Sequence, residues 1–190
     1  MSDEGEKTLK NKFIHIVQGD FRILANIAGK ELLHQKKVVI DFMLYPMPHL
    51  LEAGFDPVWF GVEVKHFGIS GETSKMSRFV WQCITYVQST FQVEGIAIKP
   101  AFVLGFSDVD EVNQDDSDFC REYRSQWTGM VRLAGLAHVG NFHEVLQTRH
   151  KPLGGWNIIF SSSSYFRRVD GRYEKMKYNI FKENVGNCSI

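Results

Sequence analysis

A single aspartate interrupts an otherwise apolar run, and it is the first residue of the chain that could do chemistry. Asp41 lies within the segment from Val38 to Tyr45, in which all the remaining side chains are apolar or aromatic. The length of this segment and its β-branched and aromatic content predict a buried strand. An ionised carboxylate in such a strand is unstable unless a positive charge compensates it, and a bound metal ion commonly does so. Asp41 is therefore a candidate metal ligand.

A second pair of charged residues lies in the alternating run Val58–His66, where Glu63 and Lys65 flank Val64. Residues two apart in a strand share a face, so Glu63 and Lys65 are expected to point the same way. Carboxylates of Asp41 and Glu63, with the Val64 backbone carbonyl, suit one or two Mg²⁺ or Mn²⁺ ions. Such an ion polarises a phosphate oxygen and activates water, which Lys65 would orient. The pattern indicates metal-assisted hydrolysis of a phosphodiester.

The pairing of the two runs in a hairpin decides whether Glu63 and Lys65 belong to a metal site or form an ordinary solvated charge pair. Such charge pairs are common on alternating strands. The connecting loop, from Pro46 to Pro57, has its midpoint near Leu51. Asp41 and Glu63 lie at similar distances from that midpoint. If the runs pair antiparallel, the two carboxylates are expected nearly opposite each other.

Two helices and a further strand are predicted around the hairpin. Apolar residues recur at helical spacing from about Thr8 to Gln35. A second helix, capped by Thr73 or Ser74, runs to about Thr90. The apolar segment Gly95–Phe106 predicts another strand. The order helix, strand, strand, helix, strand indicates an α/β or α+β fold.

One row of the second helix carries Arg78, Gln82 and Tyr86 at four-residue spacing. Alone they would be ordinary surface residues, but they lie on the first helix after the strand of Glu63. Arg78 is a candidate phosphate contact, and an exposed helical arginine is an equally good interpretation.

The second half of the chain predicts three segments. Ser107–Asp118 holds six acidic residues and predicts a mobile loop, because it lacks the glycine and glutamate that an EF-hand calcium loop requires. Phe119–Thr148 predicts mostly helix. A hairpin of Trp156–Arg168 and Arg172–Phe181 is expected, with Asp170-Gly171 as its turn. From residue 149 onward the chain has eight basic residues and three acidic ones. This hairpin is therefore expected either to line a DNA groove or to be exposed to solvent.

Composition sets limits on the class of protein. The chain has 190 residues, 44% of them hydrophobic, which is typical of one globular domain. Its 22 basic and 22 acidic residues cancel, so whole-chain charge gives no argument for nucleic acid. There is no apolar run long enough to span a membrane, and the acidic N-terminus is unlike a secretory signal. Three scattered cysteines indicate a reducing compartment and cannot supply the four thiolates of an iron–sulfur cluster.

Asp41, Glu63-Val64-Lys65 and the segment Gln82–Tyr86 together resemble the PD-(D/E)XK nuclease superfamily. They are most similar to the branch with a Gln-x-x-x-Tyr helix, which includes RecB-type nuclease domains and lambda-type exonucleases. The resemblance covers roughly residues 8–106. It implies a restriction-endonuclease-like α-β-β-β-α-β core with a mixed sheet flanked by helices, leaving a C-terminal helix and basic hairpin at about 119–182. It also implies that Asp41 and Glu63 bind metal, that Lys65 is the catalytic lysine, and that Gln82 and Tyr86 hold DNA or the metal-bound water.

Several residues depart from the superfamily's pattern. Ile40 stands at the position of the proline in the PD-(D/E)XK motif. Asp56, in the loop beside Pro57, is a poorer match than Asp41 for the first carboxylate of that motif. RecB-type members often have an upstream metal-binding histidine. His15 and His34 are both candidates, and neither has motif support.

The expected function is that of a Mg²⁺-dependent DNA nuclease in repair, recombination or replication, with exonuclease activity preferred. A junction resolvase or other endonuclease of the same fold, and a non-cleaving DNA- or protein-binding module, stay open. The small size resembles phage-encoded stand-alone nucleases, so one domain, a bacterial or phage-infected cytoplasm and no membrane partner are expected. A homo-oligomer also stays open.

Overall fold

A large mixed sheet forms the body of the protein in a computed structural model, which describes residues 2–67, 73–108, 138–145, 155–160 and 163–176. The helices described are α1 (Ser2–Val17), α2 (Pro48–Glu52) and α3 (Thr73–Val87). The strands described are β1 (Phe21–Lys30), β2 (Lys37–Pro46), β3 (Phe60–Lys65), β4 (Thr90–Val93), β5 (Ile96–Ile98), β6 (Val103–Ser107), β7 (Val139–Glu144), β8 (Trp156–Phe160), β9 (Ser163–Val169) and β10 (Arg172–Lys175). They are ordered β10-β9-β8-β7-β6-β3-β2-β1-β4-β5. The expected α/β class with a mixed sheet and flanking helices is confirmed.

The sheet has two buried faces because strand residues alternate between them. One face packs against α1, where Phe13 contacts Phe42 and Phe106; we call it the α1 face. The opposite face packs against α3 through Phe79 and Cys83, and we call it the α3 face. All neighbouring strands pair antiparallel except β3 with β6 and β6 with β7, which are parallel.

The prediction of one helix over Thr8–Gln35 is wrong in its second half. The helix α1 begins earlier, at Ser2, and ends at Val17. A turn containing Gly19 follows, and the next ten residues form β1, which pairs with β2 along nearly its whole length. Isoleucine, leucine and alanine fit either structure, so the long-range pairing decides in favour of the strand.

The predicted hairpin is confirmed, since β2 and β3 pair antiparallel. The predicted second helix is also confirmed, although α3 ends at Val87 because Thr90 already pairs with β1. A single strand over Gly95–Phe106 is wrong. Pro100 separates β5, which turns back on β4, from β6, which pairs with β3.

The C-terminal predictions have mixed outcomes. The acidic loop beyond Asp108 and most of the helix predicted over Phe119–Thr148 lie outside the described residues, but Val139–Glu144 is a strand rather than helix. The turn at Asp170-Gly171 is confirmed, with φ values of 52° and 72°. The first arm of that hairpin is two strands, β8 and β9, and its second arm beyond residue 176 is not described. In the described part of the chain, no helix is long and apolar enough to cross a membrane.

Asp20, in the turn between α1 and β1, fixes the C-terminal strands to the rest of the sheet. Its buried carboxylate accepts hydrogen bonds from Trp156 Nε1 at 2.7 Å and Tyr173 Oη at 2.6 Å. Arg168 Nη1 lies 3.0 Å away and His49 Nε2 3.2 Å away. Burial opposes ionisation of Asp20, but these hydrogen bonds outweigh it and lower its pKa.

Replacement of this carboxylate should therefore be costly. We expect Asp20→Ala to lower the free energy of unfolding by about 3 kcal/mol, because it strands buried donors and the Arg168 charge. Urea unfolding at pH 7 measures the change. The matched control is Glu174→Ala, which removes an exposed partner of Arg167 and should cost at most about 1 kcal/mol. Equal losses in the two variants would contradict the role of Asp20.

Candidate active site

The β2 and β3 strands separate at Asp41. Their paired register ends at Phe42–Val62, and the Val64 N–H donates to Asp41 Oδ2 at 2.9 Å instead of to a strand carbonyl. Asn26, across from Asp41 on β1, has a φ of 54°, and these two residues form the one unpaired position within the β1–β2 register. The irregular backbone lets the Asp41 carboxylate reach β3, so the strand itself positions this group.

Glu63 is the buried carboxylate of the site. Continuing the β2–β3 register by one residue sets it opposite Asp41. Only 7% of Glu63 is exposed, and its Oε2 has no hydrogen-bond partner in the structure as described. Burial, followed by the charge of Asp41, raises the pKa of Glu63 to about 8, and the nearby Lys10 and Lys65 offset this only in part. A cation between the two carboxylates would offset both causes, because it favours the ionised form of Glu63.

The site also includes two residues of α1, Glu6 and Lys10, which the sequence did not identify. Lys10 Nζ lies 2.6 Å from Asp41 Oδ1 and 3.3 Å from Glu6 Oε1. Lys65 Nζ lies 3.0 Å from Glu6 Oε2. Charges therefore alternate from Asp41 to Lys10, Glu6 and Lys65, while Glu63 adds a third carboxylate. In the sequence, Glu6 and Lys10 look like an ordinary exposed i,i+4 pair, and Glu6 precedes the region covered by the resemblance.

These contacts keep the α1 residues charged. Burial opposes ionisation of Glu6, but hydrogen bonds and charges from Lys65 and Lys10 outweigh it, so the pKa of Glu6 is lowered. Burial likewise opposes the charge of Lys10, and its contacts with Asp41 and Glu6 outweigh this and raise the pKa of Lys10. Glu6 thus holds the Lys65 ammonium at the end of β3.

The α3 helix brings its polar row to the same carboxylates. Tyr86 is buried, and its pKa is raised first by burial and then by the charges of Glu63 and Asp41. The half-buried Gln82 hydrogen-bonds with Tyr86. Arg78, one turn earlier, is exposed. The predicted row therefore approaches the site through Tyr86 and Gln82, while Arg78 faces solvent.

The remaining candidates lie elsewhere. His15 is exposed on α1, and His34 lies in the β1–β2 turn, 3.3 Å from Glu31. Asp56 accepts hydrogen bonds from Tyr165 Oη at 2.6 Å and from Lys175 Nζ at 2.9 Å, so it ties the loop before β3 to the C-terminal strands. Within the described ranges, no group of three or more His, Cys, Asp or Glu side chains could hold a metal.

The donor set at Asp41 and Glu63 nevertheless fits a hard divalent cation. Magnesium sites commonly use one or two carboxylates and complete their coordination with water and substrate phosphate. The partnerless Glu63 Oε2 and the Asp41 carboxylate supply these oxygens, and the Val64 carbonyl is a further candidate. The Lys10 ammonium, 2.6 Å from Asp41, is the positive charge that now compensates that carboxylate.

No protein-family model matches the chain, and neither a curated protein nor a solved structure is significantly similar to it.

The raised pKa of Glu63 predicts how stability depends on pH. Between its ordinary value of 4.5 and about 8, Glu63 keeps its proton in the folded protein but loses it on unfolding. Stability should therefore fall as pH rises through this window, by up to about 5 kcal/mol, because each pKa unit corresponds to about 1.4 kcal/mol. The lowered pKa values of Asp20 and Glu6 act only at lower pH.

Urea unfolding at a series of pH values from 5 to 8, in EDTA, measures this dependence. Glu63→Gln should remove most of the fall, because glutamine does not titrate. If the variant and the parent lose stability in parallel, Glu63 is not the titrating group.

Proposed function

We propose that the protein is a Mg²⁺-dependent DNA nuclease that hydrolyses phosphodiester bonds at Asp41, Glu63 and Lys65. The observation that carries this proposal is the buried Glu63 carboxylate, with one oxygen lacking a partner, set opposite Asp41. Burying one carboxylate beside a second, partly buried one is costly, so a site that keeps both indicates that they bind a cation.

The order of elements supports a restriction-endonuclease-like core. Helix α1, the antiparallel strands β1, β2 and β3, helix α3 and strand β6 follow one another as the α-β-β-β-α-β pattern requires, with α2, β4 and β5 inserted. Strand β6 runs parallel to β3. The segment mispredicted as helix supplies the third antiparallel strand, β1, which the resemblance requires and the sequence interpretation lacked.

Each residue has a separate role in the proposed reaction. Asp41, Glu63 and the Val64 carbonyl would hold the ion, which supplies charge neutralisation at the phosphate and a more acidic bound water. Glu63 must give up its proton for this, since only the carboxylate binds metal well. Lys65, held by Glu6, donates a hydrogen bond to the attacking water and stabilises the negative charge that develops on the phosphate.

Residues from both helices complete this proposal. Lys10 can transfer its hydrogen bonds from Asp41 to a substrate phosphate once a metal ion compensates that carboxylate. Gln82 and Tyr86 are placed to hold the water or the DNA strand beside Glu63. The proposed setting is DNA repair, recombination or replication in a bacterial or phage-infected cytoplasm, with exonuclease activity preferred and possible self-association left to experiment.

The test is incubation of the protein with linear and circular DNA, in Mg²⁺ or in EDTA. We expect linear DNA to disappear in Mg²⁺ and to persist in EDTA. Cutting of covalently closed circles would identify an endonuclease or junction resolvase instead of an exonuclease. Binding without cleavage under every divalent-ion condition would contradict the proposal and favour a non-cleaving module.

A further inference from the structure

The far end of the β1–β2 hairpin carries a groove that the proposed catalytic residues do not use. It has a volume of about 430 Å³, which is in the size range of small-ligand sites. Its walls include Val39, Leu32, Lys30 and Lys37. Val39 is 54% exposed and Leu32 59% exposed, so the groove presents apolar surface and two ammonium groups to solvent.

The groove lies on the α1 face, on the strand that also carries Asp41. Val38 and Ile40 pack into the core of the α3 face, so alternation places Lys37 and Val39 on the α1 face. Lys37 and Asp41 are four residues apart on β2, or about 13 Å.

The neighbouring strands widen the same surface. Lys30 pairs with Lys37, and Ala28 pairs with Val39, across β1 and β2. On β4, Phe91 and Val93 pack into the α3 face, so Gln92 lies on the α1 face and lines the groove. The surface therefore combines cations, an apolar floor and a side-chain amide that can hydrogen-bond base edges.

The hairpin tip is held in shape by its own side chains. The Glu31 carboxylate accepts hydrogen bonds from the backbone N–H groups of Leu33 at 3.1 Å and His34 at 3.2 Å. Gln35 Nε2 donates to the Leu32 carbonyl at 2.9 Å. The one acidic side chain of the tip is thus engaged in the turn, and the groove is formed without a ligand.

We propose that this groove binds an unpaired stretch of the DNA substrate, beside the proposed cleavage site. The inference rests on the proposed function. Phosphates bind Lys30 and Lys37, and the base faces lie on Val39 and Leu32. An unpaired strand is the occupant that fits, because a duplex keeps its base faces inside the stack and offers only phosphates to such a surface.

The test measures binding of a fluorescein-labelled single-stranded oligonucleotide by anisotropy, in EDTA, over a range of salt concentrations. The double variant Lys30→Ala/Lys37→Ala should weaken binding at least about tenfold and reduce the log–log salt slope by about 1.4, or about 0.7 per lost phosphate contact. Val39→Ser should weaken binding about threefold with the slope unchanged, because it removes apolar contact and no charge.

The matched controls are Lys99→Ala and Ile96→Ser, exposed residues at β5, which should bind as the parent does. Groove variants that bind like these controls would overturn the inference, as would equal losses for single strand and duplex. The assay contains no divalent ion, so its outcome is separate from cleavage. A parent that binds strands through the groove but never cuts DNA would refute the proposed function alone.

Discussion

Glu63→Gln is expected to lower the rate of DNA cleavage at least about 1,000-fold at saturating Mg²⁺. Glutamine has the same shape as glutamate but no charge, so it removes half of the carboxylate pair opposite Asp41 while leaving the packing on the α3 face intact. Single-turnover cleavage of a labelled linear duplex measures the effect. The matched control, Glu52→Gln, changes an exposed glutamate at the end of α2 and should cut as the parent does.

A folding readout separates loss of chemistry from loss of structure. Glu63→Gln should be more stable than the parent at pH 8, because Glu63 ionises freely in the unfolded parent but only with difficulty in its buried folded position. An inactive but stabilised variant is therefore the expected combination. Full activity in this variant would show that another site cuts DNA.

Lys65→Met should slow cleavage about 100-fold while leaving cation binding nearly unchanged. The Lys65 ammonium is paired with Glu6 and is not a metal ligand, so its loss removes water orientation and charge stabilisation but no donor oxygen. Methionine keeps the apolar stem of the side chain. The measurement is single-turnover cleavage together with a metal titration of the same preparation.

The control for this prediction is Lys99→Met, which removes an exposed lysine at the end of β5. It should leave both cleavage and metal binding unchanged. A Lys65→Met protein that cuts at the parent's rate would exclude the catalytic role of Lys65. A Lys65→Met protein that has lost metal binding would show instead that Lys65 maintains the structure of the site.

The sequence was sufficient to predict the hairpin that carries Asp41 and Glu63. Two runs of strand length flank a loop of turn residues, so their separation alone set the register that the structure has. Helix α3 was equally clear, because its apolar stripe and start signals are local. Local signals failed for β1, where pairing with β2, the next strand along the chain, outweighs helix-compatible spacing.

From the sequence, only those site residues could be identified that lie on the β2–β3 hairpin or on helix α3. Glu6 and Lys10 reach the site because α1 crosses the end of β3, a contact between residues about 60 positions apart for Glu6 and Lys65. The role of Asp56 in holding Tyr165 is equally nonlocal. Such contacts depend on how elements pack, which residue spacing within one element does not encode.

A calorimetric titration of the metal-free protein with Mn²⁺ tests the central claim most directly, in buffers of different ionisation enthalpy near pH 7. Binding to the parent should release close to one proton per protein, about what displacement from a protonated Glu63 requires. Asp41→Asn and Glu63→Gln should both lose this binding. If the parent takes up no ion, or if Asp41→Asn binds it as tightly as the parent does, Asp41 and Glu63 do not form a metal site.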